Sequence, residues 1–163
     1  MFGFTKASYN LSLALIAGCV ILSSCEKIDL YERVVSMPGQ AWHSSFKPQF
    51  KFTITDTTAP YQVYILLRHN EKYEFNNIWV RLYAQAPADT ARQFSLELPL
   101  ANNDGWMGTA MDDLYDHRIA VTLDPAIFNF KRAGEYTFTL EQIMRKDPLE
   151  NVLNVGLRIE KKP

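Results

Sequence analysis

The sequence predicts an all-β fold, an antiparallel β-sandwich of about seven short strands with little helix. Three observations lead there. Apolar and polar residues alternate with period two in seven separate segments, turn residues stand between those segments, and no long amphipathic helix alternates with them. Seven faces that are each half apolar are hidden most simply by two antiparallel sheets packed face to face, rather than by a parallel sheet covered with helices.

Taken in order, the chain opens on a leader. Residues 1–9 carry one basic side chain, Lys6, and residues 11–22 are apolar apart from Ser12, Gly18 and Cys19. Leu22-Ser23-Ser24-Cys25 follows, and then the charged Glu26, Lys27 and Asp29. A basic start, a short apolar run and small residues before a cut make a secretory signal. Twelve helical residues rise only about 18 Å, well short of the ~30 Å hydrocarbon core of a bilayer. The four residues ending at Cys25 are similar to a bacterial lipobox, so residues 1–24 read as a lipoprotein signal peptide and Cys25 as the lipidation site. Ile16-Ala17-Gly18-Cys19 fits the same pattern, but its apolar run is shorter and cleavage there would leave Val20-Ile21-Leu22 exposed. Two or three acyl chains on Cys25 make a stable membrane anchor, which one chain does not.

Cleavage at Cys25 leaves residues 25–163, enough for one domain with a core. Of 17 Lys and Arg one is lost with the leader, leaving 16 against 18 Asp and Glu, a balance that gives no footprint for nucleic acid or for anionic lipid. Both cysteines lie in the leader, so the mature fold has neither a disulfide nor a cysteine metal site, and its stability rests on packing. Aromatic residues make up 13% of the chain and supply much of that packing.

Residues 25–48 have no clean period and read as a lipidated N-terminus and tether, partly docked through Trp42 and Phe46. The sandwich domain is expected over residues 49–163. Its strands are centred on Phe50-Phe52-Ile54, Val63-Ile65-Leu67, Ile78-Val80-Leu82, Phe94-Leu96-Leu98, Ile119-Val121-Leu123, Tyr136-Phe138-Leu140 and Val155-Leu157-Ile159. The separators include Thr58-Ala59-Pro60, Asn76-Asn77, Asn102-Asn103-Asp104-Gly105 and Asp124-Pro125. Met111, Leu114 and Tyr115 read as a short helical turn.

Three blocks resemble the gliding-motility lipoprotein GldH family of Bacteroidota. One runs from Tyr61 to Trp79 and contains Leu67-Arg68-His69-Asn70 and Tyr73-Glu74-Phe75-Asn76-Asn77-Ile78-Trp79. A second is Gly105-Trp106-Met107-Gly108. The third spans Gly134-Glu135-Tyr136, Met144-Arg145, Pro148-Leu149 and Asn154-Val155-Gly156-Leu157-Arg158-Ile159-Glu160. The resemblance implies an envelope lipoprotein that works with other motility proteins. It implies neither a catalytic residue nor a cofactor. Glu26 after the anchor is compatible with sorting to the outer membrane.

Candidate sites follow from the residues. Asp112, Asp113, Asp116 and His117 lack both the ligand spacing of an EF-hand and a two-histidine zinc motif, and read as a solvated acidic edge. Asn102, Asp104 and Trp106 combine amide, carboxylate and indole as a sugar-binding loop does, though Asn-Asp-Gly also makes an ordinary turn and Trp106 can close the sandwich end. Arg68 either pairs with a carboxylate such as Glu74 or Glu160 or contacts a protein partner. Trp42 and Trp79 are placed in or beside the core. His43, His69 and His117 are scattered, with no nucleophile elbow and no phosphate-cradling loop, so no enzyme is expected. The expected role is a non-catalytic protein-interaction component of gliding or envelope machinery; the alternative is a glycan-binding surface lipoprotein.

Overall fold

The computed structural model describes residues 30–121 and 129–162. The leader, Cys25 and the expected strand residues Thr122 and Leu123 lie outside them.

All seven expected strands are present. They are β3 (Gln49–Ile54), β4 (Tyr61–Asn70), β5 (Asn77–Gln85), β6 (Arg92–Pro99), β10 (Leu114–Val121), β11 (Gly134–Gln142) and β13 (Val152–Lys161). Between and before them come β1 (Leu30–Ser36), β2 (Ala41–Trp42), β7 (Ala101–Asn102), β8 (Gly105–Trp106), β9 (Thr109–Met111) and β12 (Leu149–Glu150). One sheet has the order β1-β13-β4-β10-β9, and the other β3-β11-β5-β6. Every pairing is antiparallel.

Alternation decides what each strand buries. Val63, Ile65 and Leu67 of β4 and Val155, Leu157 and Ile159 of β13 face inward from the first sheet. Phe50 and Phe52 of β3, Ile78, Val80 and Leu82 of β5, and Tyr136, Phe138 and Leu140 of β11 meet them from the second. At one end Phe130 closes the core edge-on against Phe52, Tyr61 and Tyr136. Trp42, fully buried, closes the other end and donates its indole N–H to the Phe46 carbonyl at 2.9 Å.

Two expectations are corrected. The stretch read as a tether enters the fold at its first described residue. Leu30–Ser36 forms the outermost strand of the five-stranded sheet, in register with β13 from Leu30↔Glu160 to Ser36↔Asn154. Its alternation is hard to see because Arg33 shares a row with Tyr31 and Val35, while the apolar Val34 points to solvent at 47% exposure. The helical turn expected around Met111 and Leu114 is instead a tight β-turn. Asp112 adopts φ 55° there, and Leu114 pairs with Met111 across it.

Gly156 is where β1 is admitted. A Cβ at that position would lie 2.8 Å from the Arg33 carbonyl oxygen and 2.9 Å from the Val34 Cγ2. Backbone cannot give way as the end of a side chain can. Gly156→Ala should therefore cost about 2 kcal/mol or more, in the range for overpacking at a buried site. Amide hydrogen exchange would show β1 losing protection ahead of β4; a variant in which residues 31–36 stay as protected as in the parent would contradict this role.

Candidate functional site

β4 and β10 lie side by side, and their facing residues serve two different surfaces. On the outer face Arg68 sits directly across from Asp116. It donates from Nε to Oδ1 and from an Nη to Oδ2, each at 2.6 Å, a two-pronged charge-assisted pair. The hydrogen bonds from Arg68 hold the Asp116 carboxyl below its ordinary pKa. Arg68 thus pairs with a carboxylate, but with Asp116 and not with Glu74 or Glu160. Those two are engaged by Lys146 and by Arg118 and Arg158 respectively.

The same outer face carries a relay of charges across four strands. Glu32 on β1 pairs with Arg158 on β13 at 2.6 Å, Arg158 with Glu160 at 2.9 Å, and Glu160 with Arg118 on β10 at 2.6 Å. The Arg118 guanidinium lies 4.1 Å above the Tyr64 ring on the intervening β4. An open groove of about 530 Å³ runs over this face, floored by Leu66 and flanked by Val34, Arg68 and Asn154. Asn154 and Arg158, from the third resemblance block, line it, while Val155, Leu157 and Ile159 face the core.

On the inner face, one residue along, stand two buried imidazoles. His69 is fully buried and its Nδ1 lies 2.8 Å from the Asn70 carbonyl, so Nδ1 carries the proton and Nε2 accepts. His117 Nε2 is 2.9 Å from that acceptor and donates to it. Burial, with His69 as a like-charged neighbour, pushes His117 down to about 4; burial also lowers His69. Tyr73, Trp106 and Tyr115 surround His69 at ring-centroid distances of 5.1, 4.4 and 5.5 Å. Gly108, at φ +91°, lies so close to β10 that a Cβ would overlap the Asp116 carbonyl oxygen.

This arrangement separates the residues singled out from sequence. Trp106 belongs to the ring cluster on the inner side of β4, and Arg68 to the outer side. Asn102 and Asp104 form the β7–β8 turn, where the Asp104 N–H donates to Asn102 Oδ1 at 2.8 Å. Asp112 and Asp113 make the β9–β10 turn, Asp116 faces out and His117 faces in. Among the described residues no group of three His, Cys, Asp or Glu is placed to hold a metal ion.

The feature missed from sequence is a second groove on the other sheet. Trp79, expected in or beside the core, stands on the outer face of β5 at 40% exposure. With Phe75, Ile143, Met144 and Arg145 it lines an open, mainly apolar groove of about 440 Å³. The Trp79 carbonyl accepts from the Ile143 N–H at 2.9 Å, and Met144 Sδ accepts from the Trp79 N–H at 3.2 Å. Trp79 is the odd-numbered residue in an Ile78-Val80-Leu82 alternation, a pattern that placed it facing outward.

The class that these features define is an all-β protein with antiparallel sheets packed as a sandwich. The GldH lipoprotein family matches residues 29–159, and the chain belongs to that family. It is 29% identical over 156 residues to the gliding motility lipoprotein GldH of Flavobacterium johnsoniae, covering 91% of this chain and 94% of that protein. It is 26% identical over 150 residues to the gliding motility lipoprotein GldH homolog of Christiangramia forsetii, covering 87% and 90%. Among solved structures, the VP2 subviral particle of infectious bursal disease virus aligns over 82% of this chain at 10% identity, with a TM-score of 0.36. The chain spans about a third of that viral protein (33%).

The buried histidines give a pH dependence with a definite sign. Their folded pKa values lie below the unfolded value near 6.5, so between about pH 6.5 and 4 the unfolded chain binds more protons and stability falls on acidification. The His117 shift corresponds to up to about 3 kcal/mol at the bottom of that window. The lowered carboxyls, Asp116 among them, act only as pH falls toward 4 and below. Urea midpoints measured from pH 7.5 to 5 should fall in the parent and much less in His117→Phe; parallel slopes would show that the pair does not govern this range.

Proposed function

We propose that this chain is a lipid-anchored component of the bacterial cell envelope, held through acylated Cys25 in the outer membrane, which serves gliding machinery by binding another envelope protein. The role is non-catalytic. The observation that carries it is the exposed groove of Phe75, Trp79, Met144 and Arg145. Tryptophan, methionine, phenylalanine and arginine are the residue types that protein interfaces favour at their centres. The Ile143 N–H bond to the Trp79 carbonyl and the Trp79 N–H bond to Met144 Sδ tie its two sides together, which limits the ordering that contact requires. Two of the segments by which the chain resembles its family meet there, although they are some 65 residues apart in sequence.

Anchoring supplies the other half of the mechanism. Confinement to a bilayer raises the effective concentration of the domain near other membrane-bound proteins, so that a modest contact suffices. Arg68 offers less as a contact residue, because its guanidinium is already committed to Asp116. The glycan-binding alternative needs an open indole face at Trp106, and that ring is engaged with His69, Tyr73 and Tyr115.

Crosslinking followed by affinity recovery of the tagged protein from its own cells tests this reading. Envelope or motility proteins should be recovered with the parent, and recovery should drop at least several-fold with Cys25→Ala and with Trp79→Ala. Undiminished recovery with Trp79→Ala would move the contact away from the groove. Recovery of bulk membrane protein alone would overturn the interaction role.

A further inference from the structure

The strand order fixes which end of the sandwich lies nearest the anchor. β1 begins at Leu30, and only residues 26–29 separate it from Cys25. At ~3.3–3.6 Å per residue, the backbone from Cys25 to Leu30 spans at most about 18 Å. Leu30 pairs with Glu160, and the neighbouring Lys161 pairs with Tyr61, so this end also carries the β3–β4 loop around Thr57 and the C-terminal end of β13. A strand of nine or ten residues is ~30 Å long, which puts the Trp106 cluster, the Asn102–Asp104 turn and the Trp79 groove at the far end.

The two ends differ in charge. At this end of the strands stand Arg92, Lys131, Arg132, Lys161 and Lys162. Among the described residues the carboxylates at this end are Asp56, which meets Lys161 at 3.3 Å, Asp89, which meets Arg132 at 3.5 Å, Glu135, which meets Lys51 at 3.3 Å, and Glu160, which meets Arg118 and Arg158. Asp124, in the connection from β10 to β11, and Glu26 and Asp29 against Lys27, in the connection to Cys25, add acids by sequence and leave a small positive excess. The opposite end presents Asp104, Asp112 and Asp113 on two turns that hold no cation, with Glu71 beside them through its N–H to the Asp113 carbonyl, against the one base Lys72 that follows it. A chain that is nearly neutral overall is therefore polarised along its strands.

We infer that the end of the sandwich bearing Arg92, Lys131, Arg132 and Lys162 rests on anionic phospholipid headgroups of the bilayer that holds the anchor, with the Trp79 groove and the Trp106 end turned away from it. The proposal rests on acylation of Cys25. A headgroup layer extends several ångströms beyond the hydrocarbon, so a connection of at most about 18 Å keeps this end within reach of lipid phosphates. Lysine and arginine there gain from the negative surface potential, whereas the acidic far end is repelled by it. The anchor restricts distance and the charge restricts tilt; both act to stand the domain upright.

The acylated full chain, purified from membranes and placed in vesicles with lipid-headgroup nitroxide quenchers, tests the orientation. A fluorophore is attached at Thr57→Cys or at Asn103→Cys, both exposed, one at each end. Quenching should be several-fold stronger at position 57, and stronger still when phosphatidylglycerol replaces part of the phosphatidylcholine. A Lys131→Glu, Lys162→Glu double variant should stay with the vesicles and lose that increment. Equal quenching at the two positions, or stronger quenching at 103, overturns the orientation while leaving the anchor standing. A chain that carries no acyl mass on Cys25 and does not float with vesicles overturns the anchor reading and the orientation together.

Discussion

The register of β4 is the constraint on which the rest of the molecule depends. β4 is bonded along both edges, to β13 over nearly its whole length and to β10 from Val63 to Asn70. Side chains alternate faces with period two, so a slip of one residue against either neighbour would exchange the faces completely. Val63, Ile65, Leu67 and His69 would turn to solvent, and Tyr64, Leu66 and Arg68 would be driven into the core. Both of its special pairs require the observed register as well. Arg68 meets Asp116 only if it lies directly opposite, and His69 meets His117 only on the diagonal behind that pair. The ion pair outside and the imidazole pair inside thus report the same alignment from two sides of one sheet.

The two pairs contribute differently. Arg68 and Asp116 are each more than a third exposed, as are Glu32 and Arg118 of the outer relay, so water and salt screen them and their contribution to stability is small. Their arrangement is better understood through what it does to the surface. Three arginines matched by Glu32, Asp116 and Glu160 leave the outer face polar and locally neutral, a surface that disfavours casual apolar association. The buried histidines have no water to fall back on. A neutral imidazole pair sharing one hydrogen bond is satisfied where it stands, whereas a charge there meets an aromatic wall of Tyr73, Trp106 and Tyr115. Gly108 completes that wall by letting the chain pass against β10 with nothing between them.

The sandwich was legible in the sequence because seven strands bury one face and expose the other. β1 was not, because an edge strand needs only half of that pattern: Arg33 and Val34 each break the alternation at positions open to solvent. The β9–β10 turn was misread since Asp112 takes a left-handed conformation that acidic residues tolerate but do not advertise. Arg68 was open to two readings, an ion pair or a partner contact; its carboxylate lies 48 positions away, and only strand order selects Asp116 over Glu74 or Glu160. Trp106 could equally have been a loop tip or a lid. Its neighbours come from β4, the β4–β5 loop and β10, and no local signal in the sequence joins those three. Trp79 was the nearest miss, since the period that placed Ile78 and Val80 inward placed it outward.

Where β1 begins also determines how load would reach the domain. With Cys25 acylated and the domain upright as proposed, a pull from the membrane would arrive at Leu30 and run along the axis of β1. Antiparallel hydrogen bonds stand perpendicular to the strands, so a pull along the axis loads the whole β1–β13 ladder, from Leu30↔Glu160 to Ser36↔Asn154, at the same time. A pull from the side would instead open those bonds one after another. An upright domain on a short connection receives force in the first geometry, and a long tether or a domain lying flat would not guarantee it. Gly156 matters to this arrangement because it lets β1 approach β13 at the middle of the ladder. With Cys25 acylated as proposed, the first strand would be both the route into the fold and the means by which the fold resists its anchor.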